Sequence, residues 1–165
     1  MSRVEIRPRM REDLPAVEAI EHEGFSLPWP KDAFAHELEN ALARYLVLVE
    51  DGVVAAYGGM WMILGSAEIT SISTAPWARR RGYGERLLRA LMTLAYEELE
   101  ITEMTLEVRV SNLPAQALYT KLGFVTEGKR DKYYEDNKED ALIMWCHDTR
   151  PYWTAGDSDH DFSEG

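Results

Sequence analysis

The sequence predicts an α/β fold: one mixed sheet, elements in the order β-αα-βββ-α-β-α-ββ, with helices on both faces. Three observations carry this. β-Branched strand text from Glu68 to Thr74 runs through a glycine-bearing turn into a helix with Leu88, Leu91, Met92, Ala95 and Leu99 at helical spacing. A cleanly alternating strand, Met104 to Val110, follows, so the three form a β-α-β unit with a parallel pair and a right-handed crossover. Upstream, Tyr45–Val49 and Val53–Tyr57 flank Glu50-Asp51-Gly52, and Asp-Gly between apolar runs signals a hairpin.

In order, Val4 to Arg7 opens the sheet. Asp13 is placed to cap a first helix, with Pro15 in its first turn, Leu14, Val17 and Ile20 as its apolar stripe and Gly24 as its stop. Phe25 to Pro30 reads as a loop, and a second helix follows with Phe34 and Leu38 inward. The strand beginning at Val53 continues to about Ile63, and Gly65-Ser66 turns the chain into the Glu68 strand. Along Met104–Val110, Leu106, Val108 and Val110 share one face, and Thr105, Glu107 and Arg109 the other. Ser111-Asn112 can cap the next helix, which carries Pro114 in its first turn and ends at Leu122-Gly123. A strand from Val125, a polar loop from Tyr133 to Lys138 and a returning strand, Ala141 to Trp145, complete the sheet.

At 165 residues the chain is read as one domain, 1–149, long enough to bury a sizeable core, followed by an acidic tail, 150–165, expected to be mobile. The net charge of −11 argues against a nucleic-acid or anionic-membrane partner and suits a cationic substrate. One cysteine, Cys146, excludes a disulfide framework and a multi-cysteine metal site, and His22, His36, His147 and His160 show no ligand spacing, so no metal is expected. The N-terminus lacks the apolar stretch of a signal peptide, and the longest apolar run, Val53 to Leu64, is too short to span a bilayer; a cytoplasmic location is expected.

The stretch from Arg79 to Ala90 holds five arginines and one glutamate, around Gly82 and Gly84 and at the start of a helix. Unpaired amides, the helix dipole and bare glycine backbone make such a turn an anion cradle, although a plain βα turn with a solvated basic face has the same text. No Lys-Ser/Thr follows in Walker fashion, and the third glycine of the dinucleotide fingerprint is replaced by Leu87. The pattern Arg79-x-x-Gly82-x-Gly84 instead resembles the pyrophosphate-binding motif of the GNAT superfamily of N-acetyltransferases, whose co-substrate is acetyl-CoA.

Acetyl transfer to an amine needs a base, because an α-amino group titrates near ~8 and a lysine near ~10.4. It also needs a polarised carbonyl and a proton for the departing thiolate. Glu107, on the polar face of a strand beside the Glu68–Thr74 strand, is the candidate base; pairing with neighbours such as Arg109 or Thr105 is the alternative. Tyr119, in Ala117-Leu-Tyr-Thr-Lys-Leu-Gly-Phe124, is the candidate acid, with a core tyrosine as the alternative.

Leu106-Glu-Val-Arg-Val-Ser-Asn112, then Ala117-Leu-Tyr-x-x-Leu-Gly-Phe124, Tyr133-Tyr134 and Glu139-Asp-Ala-Leu-Ile-Met144 together resemble the RimI-type protein N-terminal acetyltransferases from about residue 3 to residue 147. The resemblance implies Glu107 as general base and Tyr119 as general acid. It implies Ile72, Ser73 and Thr74 as the strand that pairs with pantetheine, Arg79 and the loop Arg80, Arg81, Gly82, Tyr83, Gly84 and Glu85 as the pyrophosphate site, and Asn112 as a further CoA contact. Pro28, Trp29, Tyr133 and Tyr134 would flank the peptide N-terminus, with packing at loop bases as their other reading. Ser71 stands where the family often has Asn, Arg79 where many members have Gln, and Lys132 where relatives have a small residue. The implied activity is direct transfer from acetyl-CoA to the N-terminal amine of a ribosomal protein, with an alanine start. A lysine or small-amine acetyltransferase, or an acyl-CoA-binding module without turnover, is the alternative.

Overall fold

The computed structural model describes residues 3–24, 43–133 and 139–153. Its elements are β1 (Val4–Pro8), α1 (Leu14–Gly24), β2 (Ala43–Glu50), β3 (Val53–Ile63), β4 (Ser66–Thr74), α2 (Tyr83–Leu99), β5 (Glu103–Arg109), α3 (Leu113–Lys121), β6 (Val125–Arg130), β7 (Ala141–Cys146) and a last helical turn, α4 (Arg150–Trp153). The strands form one seven-stranded sheet in the order β1-β2-β3-β4-β5-β7-β6. All neighbours are antiparallel except β4 and β5, the pair joined through α2. The expected second helix with Phe34 and Leu38, the Phe25–Pro30 loop and the tail beyond residue 153 lie outside the described residues.

The β2–β3 and β3–β4 hairpins each turn on two residues of positive φ, which suits the right-handed twist of the flanking strands. Asp51 and Gly52 have φ of 51° and 84°, and Leu64 and Gly65 have 51° and 87°. The second turn thus sits one residue earlier than its Gly65-Ser66 text suggested, and it leaves Leu64 in solvent. Asp13 also differs from expectation. It ends a 3₁₀ turn (Arg11–Asp13), and its carboxylate accepts from the Met10 amide at 2.8 Å and from Arg7 at 2.7 and 3.0 Å instead of capping α1. The Arg7 hydrogen bonds hold this carboxyl below the usual range against the opposing effect of burial. Residues 150–153, assigned to the tail on composition, form α4. Arg89 donates to the Tyr152 carbonyl, and the Tyr152 ring covers Gly123, whose φ is +93°.

Which side chains share a face follows from register. A Cβ on Gly58 would meet Leu91 of α2 at 3.2 Å, whereas one on Gly59 would meet Tyr45 and Thr70 on the other side. Trp61 lies two residues beyond Gly59 and opposite Glu68, which in turn lies opposite Thr105. Alternation then puts Trp61, Glu68, Thr105 and Glu107 on the face turned away from α2. Met60 and Ile69, paired with each other, and Met104, Leu106 and Val108 are buried on the opposite side.

Two irregularities open the sheet at its centre. Gly59 pairs with Ser71 but Met60 with Ile69, so Thr70 is an extra residue on β4, a bulge that bends the strand. Parallel pairing of β4 with β5 stops at Glu68–Thr105, although β4 continues to Thr74 and β5 to Arg109. The two strands diverge from there, and the β5-facing backbone groups of Ser71 to Thr74 lack a β5 partner.

At the other end of β5, the His147 ring meets Glu103 through Nδ1 at 2.8 Å and Glu127 through Nε2 at 2.6 Å, and stacks on Trp145. The Glu103 and Glu127 contacts raise its pKa above the ordinary 6.5. A group with a raised folded-state pKa stabilises fully below its unfolded value and loses that contribution as pH climbs through the folded value. Urea midpoints should therefore fall as pH rises from about 6.5 through the raised value. His147→Gln should flatten that slope.

Candidate active site

A cleft of about 710 Å³ lies between the divergent end of β4, the loop that follows and α3. Ile72, Ser73, Thr74, Arg79, Arg80, Gly82, Tyr83, Gly84, Glu85, Asn112 and Tyr119 all line it, so eleven residues singled out in the sequence meet in one place. Ala78, Pro114, Ala115 and Leu118 complete the wall; nothing in their chemistry distinguished them beforehand.

The geometry of the loop suits an anion. Arg80 and Gly82 take left-handed φ values of 67° and 78°, and such alternation turns backbone N–H groups to one side. A positive φ at a non-glycine residue costs energy, and here it sits in the wall of the cleft. Gly82 is the N-cap of α2 and supplies no side-chain cap, so the amides of the first turn have no acceptor within the helix. A Cβ on Gly84 would lie 3.5 Å from Leu118 and 3.7 Å from Ile72, ordinary contacts the fold could accept. What glycine provides there is bare backbone beside the cleft, and with Arg79 and Arg80 this fits a pyrophosphate. Glu85 is the one acid in the loop. Burial alone would raise its pKa, but hydrogen bonds from Lys121 at 2.9 Å and Arg89 at 2.8 Å outweigh that and hold it low, so its charge is spent on protein cations.

Arg81 departs from expectation. Its side chain does not line the cleft; it turns the other way and donates to both Glu50 oxygens at 2.6 and 2.8 Å. The Tyr83 hydroxyl donates to the same carboxylate at 2.5 Å, and Arg81 also reaches the Trp77 carbonyl at 3.1 Å. Glu50, 8% exposed, thus ties the end of β2 to both sides of Gly82. Burial, then the Glu50 contact, raises the Tyr83 pKa, so the phenol stays a donor. The separation of 31 positions between Glu50 and Arg81 hid this strut from sequence. Glu50→Ala should raise the KM for acetyl-CoA about tenfold, the scale of a lost charge-assisted hydrogen bond, and leave kcat within about twofold; initial rates separate the two.

Asn112 performs its capping role, accepting from the Ala115 amide at 3.2 Å, and also faces the cleft. Tyr119 is 9% exposed, with its ring tilted against Phe124 at 5.9 Å between centroids, so it packs in the core and also lines the cleft.

Glu107 is not in the cleft. It stands on the face of β5 away from α2, where Arg130 donates to its Oε2 and Tyr133 hydrogen-bonds it. Arg130 also lies over the Tyr133 ring at 5.6 Å. The expected partners Arg109 and Thr105 are engaged elsewhere, Arg109 with Glu139 at 3.4 Å and Thr105 with the Met144 carbonyl at 2.9 Å. Pro28, Trp29 and Tyr134 lie outside the described residues. The divergence of β4 and β5 thus separates a cleft holding Tyr119 from a face holding Glu107, and among the described residues no strand closes the gap between them. No cluster of metal-ligating side chains occurs among the described residues.

A strand that runs into a glycine-bearing turn, a sheet split beside it, and acid and base candidates on its two sides suit a transferase that works on an extended, phosphate-bearing donor. Residues 14–124 match the acetyltransferase (GNAT) family, and the chain belongs to it: it is an N-acetyltransferase whose co-substrate is acetyl-CoA. Among its relatives, a Bacillus subtilis protein provisionally named ribosomal protein bS18-alanine N-acetyltransferase is 47% identical over 141 residues, covering 85% of this chain and 93% of its own. The Escherichia coli ribosomal protein bS18-alanine N-acetyltransferase is 38% identical over 139 residues, 80% of this chain and 89% of its own. A crystal structure of the ribosomal-protein-S18-alanine N-acetyltransferase from Escherichia coli superposes with a TM-score of 0.80 at 32% identity, covering 87% of this chain and 92% of that one.

Proposed function

We propose that this enzyme acetylates the N-terminal amine of a ribosomal protein, an alanine-starting bS18, by direct attack of that amine on acetyl-CoA. The split between β4 and β5 is the observation that carries the reading. It lets a donor lying along Ile72–Thr74 present its acetyl group to an acceptor arriving on the opposite face. The unpartnered β4 backbone takes the pantetheine arm as an added strand, and an N–H there polarises the carbonyl. Gly82, Tyr83, Gly84 and Glu85 hold the pyrophosphate through backbone, with Arg79 and Arg80 as counter-charges and Asn112 as a further contact. Glu107 takes the proton of the α-ammonium, directly or through water, and Tyr119 donates one to the sulfur. Tyr133, with Tyr134, Pro28 and Trp29, flanks the peptide.

No described helix is long and apolar enough to cross a membrane. An acceptor made on the ribosome suits a cytoplasmic enzyme. Names of the close relatives support the alanine-start acceptor over a lysine or a small amine. The test is mass spectrometry on two matched peptides, one with a free Ala N-terminus and blocked lysines, the other with a blocked N-terminus and free lysines. One added acetyl on the first alone supports the reading. Modification of the second alone moves the enzyme to lysine chemistry, and silence on both leaves it to small amines.

A further inference from the structure

Glu107 does not stand alone on its face of the sheet. Glu68 lies directly opposite Thr105, two residues from Glu107 on the same face, across a strand spacing of about 4.8 Å. It is the last β4 residue paired with β5, two positions before the bulge at Thr70, so it marks the point where the sheet opens. Among the described residues, the charged and titratable groups around it are Glu107 from β5, Arg130 from β6 and Tyr133 from the loop beyond; its β3 neighbour is the uncharged Trp61. Among these, the hydrogen bonds are unequally shared. Arg130 and Tyr133 both bond Glu107, while Glu68 has no hydrogen bond or ion pair among the described residues.

We propose that Glu68 and Glu107 act as a carboxylate pair in which Glu107 meets the acceptor amine and Glu68 receives the proton it passes on. This rests on the function proposed above. Arg130 fixes the Glu107 carboxylate beside the gap, in place to meet the arriving ammonium. Glu68 is the complement: desolvation and then the charge of Glu107 raise its pKa, with Arg130 only partly opposing. The step balances without any further reagent. The ammonium gives one proton to Glu107 and on to Glu68, the amine lone pair forms the C–N bond as the C–S bond breaks, Tyr119 protonates the sulfur, and the second proton, shed by the nitrogen as the amide forms, restores the Tyr119 phenol. Glu68, exposed at the rim, then returns its proton to solvent.

Steady-state CoA release with the Ala-start peptide, measured from pH 5.5 to 9 on wild type, Glu68→Gln and Glu68→Asp, tests it. Expected for Glu68→Gln is a kcat about tenfold lower even on the alkaline plateau, an acid limb displaced to lower pH, an acetyl-CoA KM within twofold of wild type, and recovery of most of the rate in Glu68→Asp. A glutamate that only repels Glu107 would displace the limb and leave the plateau untouched; that result, or an unchanged profile, overturns the proposal. Failure of the underlying reading looks different. There the wild type leaves the peptide's α-amine unmodified by mass, and the proposal falls with it.

Discussion

Glu107→Gln should lower kcat by about 10²-fold or more, the usual worth of a positioned general base, while acetyl-CoA binds as before. The substitution keeps shape and a carbonyl oxygen for Arg130, and the side chain is only 15% exposed, so the change is confined to charge and basicity. Donor binding is spared because Glu107 lies on the opposite face of the sheet from α2 and takes no part in the cleft wall. Calorimetric titration with acetyl-CoA, next to CoA release in the presence of peptide, separates the two. Normal turnover in this variant would remove Glu107 from the chemistry.

Tyr119→Phe should cost a similar factor by a different route. The ring keeps its packing against Phe124 and the fold loses only one hydroxyl, so thermal stability should change little. Lost is the proton for the departing sulfur. The deficit should therefore shrink when the acetyl group is offered on a more acidic thiol, which leaves without help. Glu107→Gln should show no such dependence, and a Tyr119→Phe deficit that ignores the thiol would assign the phenol to packing alone.

Much of this site is legible in the chain because it is local. The arginine-glycine turn, its β-branched strand and the helix after it are consecutive, so one passage of sequence reveals the anion cradle. Asn112 declares itself as a cap three residues before the amide it accepts from. Glu107 is recoverable from alternation, since Met104, Leu106 and Val108 are buried and Thr105, Glu107 and Arg109 are not. Pairings set by long-range register are not legible. Arg130 reaches Glu107 from two strands away because β7 lies between β5 and β6 and offers the small Ala141 opposite Arg130. Arg81 looks like a phosphate ligand by position and becomes a strut because Glu50 ends β2 beside it. The bulge at Thr70 has no glycine or proline of its own, and it is what opens the sheet. Asp13 illustrates the same point at short range: a cap by composition, it is drawn back by Arg7 and the Met10 amide.

The central claim is geometric: donor and acceptor meet through the gap between β4 and β5, from opposite faces. A crystal structure with an unreactive acetyl-CoA analogue and an Ala-start peptide tests it most directly. The account predicts pyrophosphate on the amides of Gly82 and Gly84, pantetheine along Ile72–Thr74, the sulfur within reach of the Tyr119 hydroxyl, and the peptide amine on the Glu107 side beside Glu68. A peptide amine entering on the α2 side, or an analogue whose acyl end lies away from the gap, would contradict it.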